Sequence, residues 1–263
     1  MDLNMRVPSA TSLLLAWERG LDLSLTRRSL ELLDAALPQM GKETLARLPI
    51  GKRDAFLLSL RQLLFGNDVA AISQCPECGD TLDLSFGTDE IRVADDVPEE
   101  MDSENTEMEA RIRYLSRDGY DVAYRLPTSA DILAVTGAAA QGDNWERSLL
   151  QCCIVDVKRA DQEKERFVTI SVMPGTLVAA IGADMAEADP QAEIELALEC
   201  PGCGHTWQAL FDIAAFLWSE IHSWAQRTLH DVHVLARTYG WREADILGMT
   251  PSRRQIYLEL AQS

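Results

Sequence analysis

Apolar positions recur at a 3.6-residue period through the first quarter of the chain. Leu13, Leu14, Trp17 and Leu21 follow Ser9-Ala10-Thr11 and predict a first amphipathic helix. Residues 25–37 repeat the pattern through Leu30, Leu32, Leu33 and Ala36, and stop at Pro38. Residues 52–65 predict a third helix, with Phe56, Leu57, Leu60, Leu63 and Leu64 on one stripe and Gly66-Asn67 closing it. The period then shortens to two: Leu82, Leu84 and Phe86 share one face of a strand, and residues 111–126 read as a hairpin around Arg117-Asp118-Gly119. Thr128-Ser129 caps a helix running to Val135, Asp143-Asn144 opens another running to Cys153, and residues 174–186 predict a further one. Residues 192–199 form a strand, and Trp207, Ala209 and Phe211 alternate again. A long helix then runs from Asp212 to Gly240 on the stripe Ile213, Phe216, Leu217, Ile221, Trp224, Leu229, Val232 and Leu235. Two short helices, 242–249 and 251–261, end the chain, the second announced by Thr250-Pro251.

Candidate chemistry sits where the period changes. Two near copies of one motif occur, Cys75-Pro76-Glu77-Cys78-Gly79 and Cys200-Pro201-Gly202-Cys203-Gly204, each leading into an alternating strand. Two intervening residues let both thiolates of a tight turn face one ion, and the following glycine lets backbone amides approach sulfur. This is a zinc-ribbon plan. It predicts one structural zinc ion held tetrahedrally by Cys75, Cys78, Cys200 and Cys203. Four thiolates leave no open coordination position for catalysis. A single knuckle fits a redox dithiol as well, but duplication and the lack of a surrounding βαβ unit favour metal. The separation between knuckles is tolerable, because loop closure costs only ~0.6 kcal/mol per doubling of length. His205, beside Cys203, is a substitute ligand that the plan does not need; Cys152 and Cys153 are expected to be buried in a helix as small apolar residues.

The expected fold class is α+β: mainly helical N- and C-terminal parts joined by a zinc ribbon, with a small α+β insertion between the knuckles. The expected organisation is an N-terminal helical region 1–70, ribbon halves 71–93 and 192–211, an inserted segment 94–191 with an acidic loop 94–110, and a C-terminal helical module 212–263.

Composition narrows the function. A net charge of −18 opposes a general nucleic-acid binder, since affinity for a phosphate backbone rests on Lys and Arg. No apolar window approaches the roughly 20 residues that span a bilayer, so no membrane association is expected, and the expectation is a cytoplasmic protein. No Gly-rich phosphate loop, Gly-x-Ser-x-Gly or His-Glu-x-x-His occurs, and no enzyme is indicated. The alternative is a zinc-ribbon nucleic-acid-binding or transcription regulatory protein, in which residues 242–257 outline a helix-turn-helix and Arg253-Arg254 touch phosphate.

Four stretches carry a resemblance: Leu64-Phe65-Gly66 before the first knuckle; that knuckle and its strand; the second knuckle with His205-Thr206-Trp207 running into Phe211-Asp212-Ile213-Ala214-Ala215-Phe216-Leu217-Trp218; and Tyr239-Gly240-Trp241 through Arg253-Arg254 to Tyr257-Leu258-Glu259-Leu260. With these the chain resembles the T4-type baseplate hub assembly proteins, or hub assembly chaperones, of contractile phage tails and phage-like contractile injection systems. The resemblance implies assembling or completing a baseplate, with baseplate, hub or tape-measure proteins as partners and no chemistry. The candidate contact residues are Trp218, Trp224, Tyr239, Trp241, Arg253, Arg254 and Tyr257, because aromatics and arginine are enriched at interface hot spots; at least two of the aromatics are expected in the core instead.

Overall fold

The structure is a computed structural model that describes residues 5–93, 112–138, 145–159 and 173–262. In chain order its elements are α1 (Ala10–Gly20), α2 (Leu25–Ala36), α3 (Gly41–Ala46), α4 (Ile50–Phe65), β1 (Asp68–Gln74), β2 (Thr81–Gly87), β3 (Arg113–Arg117), β4 (Tyr120–Tyr124), α5 (Ser129–Ala138), α6 (Trp145–Cys153), β5 (Ile154–Arg159), α7 (Gly175–Ala188), a 3-10 turn (Pro190–Ala192), β6 (Ile194–Glu199), β7 (Thr206–Phe211), α8 (Ile213–Tyr239), α9 (Glu243–Leu247) and α10 (Pro251–Gln262). The fold is α+β, as the change of period predicts. The acidic stretch 94–110 lies outside the described residues. Among those residues no helix is long and apolar enough to cross a membrane.

The chain divides into two compact units. One comprises residues 43–212, and the other residues 5–42 with 213–262. In the second unit, Ser9 caps α1 by accepting from the Ser12 N–H at 3.1 Å. Leu13, Leu14, Ala16 and Trp17 form the buried stripe of α1, and Leu30, Leu32, Leu33 and Ala36 that of α2. Along α8, Ile213, Leu217, Ile221, Ala225, Thr228, Val232 and Leu235 are buried at three- and four-residue steps. Arg28 closes the end of α1. Its guanidinium donates to the Gly20 and Leu21 carbonyls at 2.9 and 2.8 Å and lies 4.6 Å from the Trp218 ring centroid. The Trp17 indole donates to His222 Nδ1 at 3.1 Å, tying α1 to α8.

In the first unit α4 is buried almost all round, from Ile50 through Arg61. The expected stripe ends earlier than its apolar residues do: Leu63 is exposed. Arg61 instead turns inward and donates to the Gly66 and Asp68 carbonyls at 2.8 and 2.6 Å, which fixes the start of β1 against the end of the helix. The strands form two separate two-stranded hairpins, β1-β2 and β6-β7, and a three-stranded sheet β3-β4-β5. That sheet packs Tyr120, Val122, Tyr124 and Val157 against Leu177, Ile181 and Met185 of α7. The sequence pattern does not predict α3, β1 or β5. In β1 two alanines blur the alternation, and β5 begins directly after α6 without a turn residue. Cys153 is buried but Cys152, expected inside with it, is exposed, because the helix ends there and only one of two consecutive positions faces the sheet.

One polar network joins the sheet to α5. Asp131 accepts from both Arg125 terminal nitrogens at 2.6 and 2.7 Å, and from the Thr128 N–H and hydroxyl at 2.9 and 2.6 Å. Arg125 also donates to the Cys152 carbonyl at 2.9 Å. Burial raises the Asp131 carboxyl, but the Arg125 guanidinium and the two Thr128 donors outweigh it and hold the group below its ordinary value.

Asp131→Asn is therefore expected to cost about 2 kcal/mol at pH 7. The ionised form is the one favoured by folding, so this stabilisation is present above the ordinary carboxylate value of 3.8 and is lost as pH falls through the lower folded value. Melting curves of the two proteins should differ at pH 7 and converge below pH 3.8. In the second unit, a Cβ at Gly20 would stand 2.5 and 2.7 Å from two ring carbons of Trp218. Gly20→Ala is expected to cost about 1–3 kcal/mol by overpacking. Trp218→Leu added to it should restore part of the loss, a coupling that a double-mutant melting cycle reads directly.

Candidate metal centre

Both knuckles sit at the tips of hairpins and are folded by the same hydrogen bonds. The Cys75 N–H donates to Asp80 O at 2.9 Å and Gly79 N–H to Cys75 O at 2.9 Å; their counterparts are Cys200 N–H to His205 O and Gly204 N–H to Cys200 O, both at 2.8 Å. Gly79 and Gly204 have φ of +79° and +74°, the left-handed region that glycine enters without a Cβ clash. In each knuckle the first cysteine is buried and the second exposed. Beneath them Leu82, Leu84 and Trp207 pack against Cys75 and Cys200. At the far end of the hairpins Phe86 and Phe211 meet edge to face at 5.3 Å. Gly202 occupies the position matching Glu77 of the first knuckle, and a Cβ there would collide with the Asp80 carboxylate from the opposite hairpin.

The four sulfurs lie within 4.8 Å of one another. Cys75 Sγ is 3.7 Å from Cys203 Sγ, and Cys78 Sγ is 3.6 Å from Cys200 Sγ; no disulfide joins them. A tetrahedral ion with metal–sulfur bonds of about 2.3 Å sets its ligands about 3.8 Å apart along each edge, so the observed separations fit such an ion. The donor set of four thiolates suits zinc or iron. The electrostatics agree. Burial disfavours the Cys75 thiolate, but the N–H groups of Cys78 and Glu77 and the thiols of Cys78 and Cys203 draw the group down to about 6. At Cys78 the Asp80 N–H favours the thiolate, yet burial and the three neighbouring sulfurs push the group up to about 12. Cys203 is pushed up as well: the His205 N–H favours its thiolate, but burial and the Cys200 and Cys75 sulfurs outweigh it. Four thiolates cannot accumulate at one point without a cation, and a bound divalent ion removes that repulsion.

The remaining sequence candidates separate. His205 is stacked on Trp207 at 5.9 Å between ring centroids and stands outside the four-sulfur group. Trp218 is buried among α1 and α2, where Arg28 and Gly20 meet it. Arg254 is also buried, paired with Asp231 at 3.5 Å. Trp224 is half-buried on α8, fifteen residues and so about 22 Å along the helix from Tyr239. Tyr239, Trp241 and Tyr257 do come together: Tyr239 and Trp241 stack at 4.5 Å, Trp241 meets Tyr257 edge-on at 4.8 Å, and Arg253 lies over Tyr257 at 5.7 Å. Ile256, exposed on α10 close to this group in sequence, is a candidate contact residue that the pattern of aromatics does not single out.

No curated protein matches the chain, and no solved structure does. Residues 5–218 match the T4 bacteriophage base plate protein family. The match includes both knuckles and three of the four stretches that carry the sequence resemblance, and it ends inside α8 before the aromatic group. It spans well over half of the chain, and the protein belongs to the T4 bacteriophage base plate protein family.

Proposed function

We propose that this protein is a non-enzymatic assembly factor or component of the base plate hub of a contractile phage-tail-like particle, built up in the cytoplasm, and that it carries one structural zinc ion. The family membership carries the base plate role. The metal centre supports a role without catalysis, because four protein sulfurs fill a tetrahedron and leave no position for substrate or water. Zinc is the ion adopted here because four cysteines from two short knuckles are the ordinary structural zinc arrangement. Work then falls to surfaces. The Tyr239-Trp241-Tyr257 group with Arg253 offers a rigid aromatic platform for a hub or tape-measure protein.

Purified protein is expected to contain one zinc ion per chain by elemental analysis. Cys200→Ser should lose the ion and more than about 4 kcal/mol of stability, since the remaining three thiolates cannot close the site. Unchanged stoichiometry and melting would contradict the structural assignment. The biological role is tested by co-expression with the other tail proteins of its particle. A stable complex with a hub or tape-measure protein is expected, together with incomplete particles when the gene is deleted. Normal particles from the deletion would sink the assembly role. Purified particles distinguish the two forms of the proposal, because a component stays in them and an assembly factor leaves.

A further inference from the structure

Each knuckle hairpin is two-stranded, and among the described residues neither of its outer edges pairs with a further strand. In an antiparallel pair, residues bonded across the ladder alternate with residues whose N–H and C=O point away from it. The bonds Cys75 N–H to Asp80 O and Thr88 N–H to Asn67 O fix the ladder of β1 and β2. Asp83 and Ser85 consequently turn their backbone groups to the outer edge of β2. The bond Cys200 N–H to His205 O fixes the second ladder, so Glu195 and Ala197 do the same at the outer edge of β6. Among the described residues β2 pairs only with β1 and β6 only with β7.

These two edges line the same cleft. It encloses about 680 Å³ between Asp83–Phe86 of β2 and residues 193–198, with residues 90–93 and Pro190 completing the wall. Leu84, Phe86, Ile194 and Leu196 give it half-buried apolar surface. Asp83, Glu90, Glu193 and Glu195 supply four carboxylates against the single guanidinium of Arg92. Open edges normally invite pairing, and unguarded ones are a liability. Here they flank a space that is apolar within and acidic around.

We propose that this cleft receives an extended segment of a partner protein as an added strand bridging β2 and β6, with apolar side chains alternating with Lys or Arg. An added strand satisfies both edges through main-chain hydrogen bonds, and its two-residue period sends apolar side chains to the interior and basic ones to the carboxylates. The sign of the charge selects the occupant. Residues 94–110, which follow the cleft wall in sequence, carry eight carboxylates and no basic residue, and a second copy would bring a like-charged edge. The inference rests on the proposed role through protein contacts and specifies the chemistry of one partner.

The test is fluorescence polarisation with a labelled ten-residue peptide of alternating Val and Lys, against the zinc-loaded full chain at low salt. Two companion peptides replace Lys by Glu, or carry N-methyl groups at alternate residues so that charge remains and strand pairing is lost. Two variants accompany them. Glu195→Lys reverses a cleft charge, and Ala197→Pro removes an outward N–H without breaking a hairpin bond, as an edge strand tolerates. The Lys peptide should bind, both companions at least tenfold more weakly, and both variants should weaken it about tenfold with zinc content and melting unchanged. Equal binding of the N-methylated peptide, no binding of the Lys peptide, or a dimer by light scattering that Ala197→Pro dissociates would each overturn the proposal. Particle assembly enters none of these readouts, so the inference and the base plate role can fail separately.

Discussion

Four sulfurs gathered within 4.8 Å set the terms for the first unit. They come from positions as much as 128 residues apart, and they repel one another once ionised. Two devices make the convergence possible. Each pair is placed by a hairpin whose tip is closed by two backbone hydrogen bonds and a left-handed glycine. Between the pairs, the described elements β3-β4-β5 and α7 enclose a core of their own. The entropy of bringing the knuckles together is thus reduced by structure that folds for separate reasons, and loop length matters little beyond that. The proposed zinc ion supplies what the protein lacks at this point, a positive charge that makes four thiolates compatible.

Details around the sulfurs follow from that convergence. Gly202 yields its side chain to Asp80 of the facing hairpin, so the two knuckles share the motif but not the spelling. Phe86 and Phe211 meet at the other end of the strands. With their knuckle sulfurs converging and these rings touching, the hairpins keep the β2 and β6 edges on one cleft instead of closing into one sheet. The second unit obeys a different logic. It has no metal cluster among its described residues, and its helices are joined by specific polar contacts over an apolar stripe: Arg28 on the α1 carbonyls and the Trp218 face, Trp17 on His222, Arg254 on Asp231.

Much of this was legible in the order of residues. The knuckle spelling pointed to four cysteines meeting, and the apolar period placed α1, α2, α8 and α10, the last with its cap at Thr250. Other features were not legible, for physical reasons. A short strand with two alanines carries almost no alternation, so β1 did not stand out although its hairpin with β2 presents half the site. Burial of Arg254 and Trp218 depends on partners distant in sequence, Asp231 and Arg28, and a count of aromatics and arginines cannot separate such anchors from a contact surface. Nor does a sequence show which backbone groups of a strand point outward. That parity comes from the bonds closing each hairpin, and it is what exposes the cleft edges.

One zinc ion is proposed to tie the two hairpins through cysteine sulfur alone. X-ray absorption at the zinc edge on the purified protein tests it most directly. A single shell of four sulfurs at about 2.3 Å is expected. A shell containing nitrogen or oxygen, or a sulfur count below four, would contradict it.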